Sequence, residues 1–354
     1  MVRRRGMDKS GQMPDPRTLA STRSGPVLVY GAYGHTGRFV VMELDRRGIV
    51  PVLAGRSDAK LAALGGVHPE LRLQVADTAD PEDLDRALVG VKAVINCAGP
   101  FADTAWPLAE AALRSHVAYF DIAAEQPSTL RLFEGLGERA AAAGVTVMPA
   151  MGFFGALGDL LVTAAMGDWL DPDTIEVATA LDSWEPTAGT LRTGRRNAEP
   201  YSEVRSGRLS VLDPSRFTEW EFPSPFGRQE VVPLPLAETA LIFQHVSAPE
   251  VHASINRRSL EDLADSSVPR RVTGLIPSPT RQPFVVDVRV VKGNTIRRAR
   301  AAGNDIYAVS APIVVEATAR LFTGLPAGVR AAGAVFNARD FLCALPIDLT
   351  LDLL

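Results

Sequence analysis

The stretch VLVYGAYGHTGRFVVMEL, residues 27–44, decides the fold. Residues 26–30 are a short apolar run with the length of a buried strand. From Thr36 to Arg47 the pattern turns helical. Val40, Val41 and Leu44 form one stripe, Arg38, Glu43 and Arg46 are polar, and Gly48 stands where a helix ends. Between strand and helix lie Gly31, Gly34 and Gly37, each three residues from the next. The first permits a tight turn, the second lets a pyrophosphate approach the main chain, and the third lets helix and strand pack closely. The helix N-terminus adds backbone N–H groups and a partial positive charge. Strand, glycine turn and helix together predict the phosphate-binding unit of a dinucleotide domain, with Tyr33, His35 and Thr36 at the turn. His35 is placed to hydrogen-bond backbone or phosphate.

The same unit opens a series. Apolar runs at 50–54, 71–75, 91–97, 117–122 and 145–149 alternate with helical stretches at 57–64, 81–89, 107–115 and 127–143. Such alternation predicts a parallel sheet covered on both faces, with right-handed crossovers. After about residue 150 the style changes. A helix over 155–166 is followed by alternating strands at 175–181 and 284–291, where Val286, Val288 and Val290 share a face. These predict a mostly antiparallel sheet with one wetted face. The segment 183–235 is rich in Pro, Gly, Arg and aromatics and fits no pattern. Residues 309–323 are helical again, capped by Ser310 or the preceding loop and stopped by Gly324. The expected fold class is α/β: a Rossmann-type doubly wound parallel sheet over 26–150, then a second α+β substrate domain over 151–305.

The strand ends select the ligand. A carboxylate after the second strand would bond a ribose 2′-OH, whereas arginine accommodates a 2′-phosphate. Here Leu53-Ala54-Gly55-Arg56-Ser57 has no carboxylate before Asp58. Arg56 is planar and permanently charged, and Ser57 adds a hydroxyl, so the cofactor expected is NADP(H). The competing role for Arg56 is to cap a solvated turn. Asp77 is placed to contact adenine or, equally well, to form a turn. The loop Asn96-Cys97-Ala98-Gly99-Pro100-Phe101 ends the fourth strand, where ligands bind. Small residues at Cys97, Ala98 and Gly99 would let a nicotinamide ribose lie on the backbone. Phe101 beyond Pro100 would pack on the nicotinamide or, alternatively, in the core.

Composition removes other classes. The 354 residues suit about two domains, and 46% hydrophobic content supports large cores. A net charge of −4 argues against nucleic acid as partner. No apolar run approaches the ~20 residues of a membrane span. Cys97 and Cys343 are far apart, so neither a disulfide framework nor a metal site is expected, and a reducing cytoplasm is. His245 and His252 are isolated and read as structural. Residues 1–25 carry six basic side chains against Asp8 and Asp15, without periodicity, and read as a disordered leader.

The phrases GAYGHTG, VLAGRS, NCAGPF and YFDIAAEQ resemble the saccharopine dehydrogenase-like reductases. In that family a Y-x-D-x-x-x-E strand and loop follows the fourth-strand loop, and here those positions are Tyr119, Asp121 and Glu125. The match is good over about 26–150 and weak at Ala188-Gly189-Thr190 and Gly303-Asn304-Asp305-Ile306-Tyr307; the rest of 183–235 departs from the family. The resemblance implies that a C-terminal segment, 306–354, returns to the first domain through its helix. It also implies reduction of an imine or of a carrier- or lipid-linked enoyl chain.

Hydride comes from the cofactor, so the protein must orient the acceptor and supply a proton. Four positions after the five tyrosines stand Gly34, Gly37, Ala123, Arg205 and Ala311, which excludes the Tyr-x-x-x-Lys device of short-chain dehydrogenases. Asp121 and Glu125 are the candidate acids if apolar surroundings raise their pKa. Their alternative role is to hold the loop through backbone hydrogen bonds, and water is another donor. Trp184, Thr190 and Arg192 are the candidate contacts to a small-molecule substrate, with Arg195 and Arg196 nearby. The expected function is an NADPH-dependent reductase of a C=N or C=C bond; the alternative is an NADP(H) sensor without turnover. A homodimer through the second-domain sheet is the candidate assembly.

Overall fold

The computed structural model describes residues 25–196, 199–215, 218–271 and 274–352; apart from Gly25, the expected leader lies outside them. In chain order the first part holds β1 (Val27–Tyr30), α1 (His35–Arg46), β2 (Pro51–Gly55), α2 (Asp58–Gly65), β3 (Leu73–Val75), α3 (Pro81–Ala87), β4 (Ala93–Asn96), α4 (Phe101–Arg114), β5 (Ala118–Asp121), α5 (Gln126–Ala142) and β6 (Thr146–Met148). The bent segment Phe153–Leu157 leads into α6 (Gly158–Met166). Then come β7 (Thr174–Leu181), α7 (Ala188–Arg196), β8 (Ser202–Arg205), β9 (Arg208–Val211), β10 (Thr218–Glu221), β11 (Arg228–Pro233), α8 (Ala237–Phe243), β12 (Glu250–Asn256), α9 (Arg257–Ala264), β13 (Pro283–Lys292) and β14 (Thr295–Asn304). The chain continues through α10 (Ile306–Leu321), β15 (Gly328–Val329), α11 (Ala332–Val335), α12 (Ala338–Cys343) and β16 (Asp348–Asp352).

Every residue of β1, β2, β4 and β5 is buried, which is why these strands read as unbroken apolar runs. They belong to a seven-stranded sheet in the order β15-β6-β5-β4-β1-β2-β3. All its pairings are parallel. The order reverses between β1 and β4, so the glycine turn and the 97–101 loop emerge side by side at the carboxyl edge. Helix α4 begins at Phe101, earlier than expected, because Pro107 lies inside it instead of opening it. Asp80 caps α3 by accepting from the N–H groups of Glu82 and Asp83.

The second sheet runs β10-β11-β12-β7-β13-β14-β16, with β8 and β9 joined to it through β12. Only β7 and β12 pair in parallel among these neighbours. The unreadable segment 183–235 supplies α7 and strands β8 to β11. Helix α10 also begins earlier than expected. The buried Asp305 caps it, its Oδ1 accepting from the N–H groups of Tyr307 and Ala308 at 3.1 Å each. Ser310, the expected cap, lies inside the helix and accepts from the Phe153 N–H at 3.1 Å. Helix α10 packs along α1, with Glu316 ion-paired to Arg47. The last segment touches both sheets: β15 extends the first beside β6, and β16 extends the second beside β14.

Candidate functional site

Side chains are excluded from the glycine turn by its own backbone. Gly31 has φ +80°, and a Cβ there would lie 2.9 Å from the Ala98 Cβ. A Cβ on Gly37 would lie 2.2 Å from the Gly31 carbonyl oxygen. Gly34 is the N-cap of α1 and offers no side chain to the first turn, which comprises His35, Thr36 and Gly37. The result is a cradle of main chain at a helix N-terminus, shaped for a diphosphate. Burial and the Arg271 guanidinium push His35 down to about 4, so its imidazole is neutral at physiological pH. Its ring packs edge-on against Phe39 and Tyr307, with centroids 5.4 and 5.2 Å away. The His35 ring therefore packs, and it is the main chain around it that forms the cradle.

A cationic ledge lies beside the cradle. The Tyr33 ring rests on Gly55, where a Cβ would come within 2.6 Å of the tyrosine Cε1. The Tyr33 hydroxyl accepts from the Ser57 N–H at 3.3 Å. Arg56 is exposed at the end of β2. Ser57 is the N-cap of α2, yet its hydroxyl makes no cap bond. Lys60 stands one turn further on, 5.7 Å from the Tyr33 ring centroid. Spacing from Ser57 could have revealed Lys60 in the sequence. Asp77 takes the turn-forming role of its two expected ones: its Oδ1 accepts from the Ala79 N–H at 3.0 Å in the turn after β3.

The 97–101 loop is held from below. Asn96 accepts from the Ala98 N–H at 3.0 Å and donates to Thr104 and Tyr119. Burial and the neighbouring Asp121 push the Cys97 thiol up, so it stays protonated. Asp121 is fully buried and takes three donors: the N–H groups of Ala123 at 2.9 Å and Ala150 at 2.7 Å, and the Tyr119 hydroxyl at 2.8 Å. Burial raises it to about 6 against the pull of those donors. Glu125 accepts from the N–H groups of Phe101 and Ala124, both at 3.0 Å. Burial raises its pKa as well, while those bonds and the Thr193 hydroxyl pull it down. Both carboxyls thus hold loops together, the second of the two roles the sequence left open, while burial raises both as the first, proton donation, would require.

Helix α7 of the second sheet's layer lies over this loop. The Thr193 hydroxyl would be 3.0 Å from a Cβ on Gly99. Thr190 is joined to the Tyr307 hydroxyl at 2.9 Å and to the Thr187 hydroxyl at 2.9 Å. Trp184, a candidate for substrate contact or for the core, lies among buried side chains. It is 6% exposed, its Nε1–H donates to Tyr307 at 3.1 Å, and its ring lies 5.6 Å from that of Phe154. Arg192 is exposed on α7. Tyr307, Thr193 and Lys60 are the contributors that sequence reasoning missed. Tyr307 links regions 117 residues apart, which no local pattern records.

A bare-backbone cradle at the switch point of a parallel sheet, with a cationic ledge after its second strand, defines a dinucleotide-binding protein. Residues 27–148 match the model of the saccharopine dehydrogenase NADP binding domain, and NADP(H) is the cofactor of this domain. The chain is 30% identical over 206 residues to a probable mitochondrial saccharopine dehydrogenase-like oxidoreductase of Arabidopsis thaliana, a match covering 51% of this chain and 45% of that protein. It is 33% identical over 153 residues to the human saccharopine dehydrogenase-like oxidoreductase, covering 38% of this chain and 35% of that one. These matches span less than half of each relative's length. Apo histidine-tagged saccharopine dehydrogenase (L-Glu forming) from Saccharomyces cerevisiae shares the fold, with a TM-score of 0.62, 13% identity, and coverage of 92% of this chain and 100% of that one.

Proposed function

We propose that this chain is an NADPH-dependent reductase of a C=N or C=C bond in a small or carrier-linked metabolite. The observation that carries the reading is Thr193 of α7 standing over Gly99: the second layer of structure borders the 97–101 loop, so an acceptor held between the two layers would lie beside the nicotinamide. The cofactor, when bound, supplies the hydride. The main chain at Gly31, Gly34 and Gly37 holds the diphosphate, and Arg56, Ser57 and Lys60 hold the 2′-phosphate. Asp121 and Glu125 fix the two loops beneath the nicotinamide, and solvent delivers the proton. The reading includes a reducing, cytoplasmic setting and a homodimer through the second sheet, which light scattering would reveal.

A sensor without turnover is the second reading. It is favoured by the two buried carboxyls, whose hydrogen-bonding capacity is taken up by loop backbone. Fluorescence titration with NADPH, followed by absorbance at 340 nm with a panel of imines and enoyl thioesters, separates the two. The reductase predicts binding with substrate-dependent oxidation by at least one class. Binding without oxidation across the panel would leave the sensor, and no binding of either dinucleotide would end both.

A further inference from the structure

The latch on α7 has a regular spacing. Thr190, Thr193 and Arg196 recur every third residue and so share one helix face. Each reaches a different partner across the cleft. Thr190 meets the Tyr307 hydroxyl at the head of α10. Thr193 meets Glu125 and the space over Gly99. Arg196 pairs with Asp103 of α4, its Nε 3.0 Å and its Nη2 2.9 Å from Oδ1. These contacts have little else behind them. Helix α7 buries none of its residues. It is flanked by two cavities: one of about 520 Å³ bordered by Phe101, Trp106, Arg131 and Arg196, and one of about 330 Å³ bordered by Thr190, Leu191, Leu263 and Val268. A helix with no buried residue and open volume on two sides is drawn from the low-stability end of a fold.

We infer that α7 is a gate over the nicotinamide end of the cofactor site, latched shut by Thr190, Thr193 and Arg196, and that NADP(H) binding releases it. The inference rests on the cofactor reading above. Its physical basis is competition for one volume. On that reading the nicotinamide ribose would lie against the backbone at Gly99, where a methyl group added to Gly99 would already meet the Thr193 hydroxyl at 3.0 Å. The latched and loaded states would then compete at Thr193, which is the differential interaction a ligand-driven change requires. The latches are hydroxyl contacts and an ion pair in which Arg196 is 57% exposed, all of them weak enough for a bound dinucleotide to displace.

Hydrogen–deuterium exchange of residues 188–196, with and without saturating NADPH, tests this on the full chain. NADPH binding is verified first by fluorescence. The gate predicts faster exchange in this peptide when NADPH is bound. It also predicts that Arg196→Ala and Thr193→Ala exchange fast without NADPH and bind it at least about fivefold tighter, since the closed state no longer competes. Thr193→Ser keeps the hydroxyl and should keep the wild-type values. Binding that slows or leaves unchanged the exchange of α7, or unlatched variants with unchanged or weaker affinity, overturns the gate and leaves the cofactor reading standing. Failure of the wild type and of both alanine variants to bind NADPH overturns both. Binding by the alanine variants alone would support the gate.

Discussion

The two sheets approach the cleft with opposite means. The parallel sheet brings main chain: at Gly31 and Gly37 any side chain would collide with backbone. The mixed sheet and its helices bring side chains: Thr190, Thr193 and Arg196 reach down from α7, joined by Tyr307 from α10. A site made of backbone is fixed once the fold forms and admits no Cβ, whereas a site made of hydroxyls and guanidinium groups can be released contact by contact. The first region should therefore answer mutation with loss of binding, and the second with graded shifts in stability and dynamics.

Gly37→Val should give the largest effect. Its Cβ meets a carbonyl oxygen at 2.2 Å, and neither helix nor turn can yield. NADPH affinity measured by fluorescence should fall by more than about 100-fold, some 3 kcal/mol or more. Gly137→Ala in α5 is the control: its Cβ meets nothing within 4 Å, so affinity should hold while stability rises by about 1 kcal/mol. Equal losses from both would remove the special standing of the glycine turn.

Asp121→Ala comes next. It leaves the N–H groups of Ala123 and Ala150 and the Tyr119 hydroxyl without their acceptor, and should lower unfolding stability by about 3 kcal/mol in denaturant titration. An unchanged midpoint with lost turnover would return Asp121 to the role of proton donor. Arg56→Ala should weaken NADPH by about 10- to 100-fold and NADH hardly at all, with stability within about 0.5 kcal/mol of wild type. Equal loss for both dinucleotides would place the 2′-phosphate elsewhere.

The smallest effect is expected at Glu238 in α8, where burial pushes the carboxyl up to about 7. Its Oε1 accepts from the Leu236 N–H at 3.0 Å, while its Oε2 is buried with no hydrogen-bond partner among the described residues. Between pH 4.5, the ordinary value, and about 7, the folded chain keeps a proton that the unfolded chain has released. Stability from this group is therefore full at low pH and declines as pH rises through that window. Glu238→Gln should flatten the decline and gain about 1 kcal/mol at pH 8, read from melting temperatures across pH 5–8. A parallel, unflattened profile would contradict it.

Most of the parallel sheet was legible because burial on both faces forces continuous apolar runs, as in Val27–Tyr30 and Ala93–Asn96. The start of α4 was not, since Pro107 mimics a helix opening and the true first residue, Phe101, belongs by pattern to a loop. Strands β8 to β11 escaped because they are short and half-exposed, so their alternation is weak. In the site, positions were easier than roles. Asp121 and Glu125 were found from their place at the end of β5 and just beyond it, but most of their partners are backbone N–H groups, which carry no letter in a sequence. Thr193 became visible only when the fold brought it over Gly99, far away along the chain.

Strand β15 has a consequence for biosynthesis. Its partner β6 ends at Met148, yet β15 itself is Gly328 and Val329. At a translation rate of about 5–20 residues per second, the edge of β6 waits roughly 10–40 s on the ribosome for its neighbour. Helix α10, which covers α1, is late as well. The nascent first layer thus keeps an open sheet edge and an uncovered apolar helix face until the tail is made.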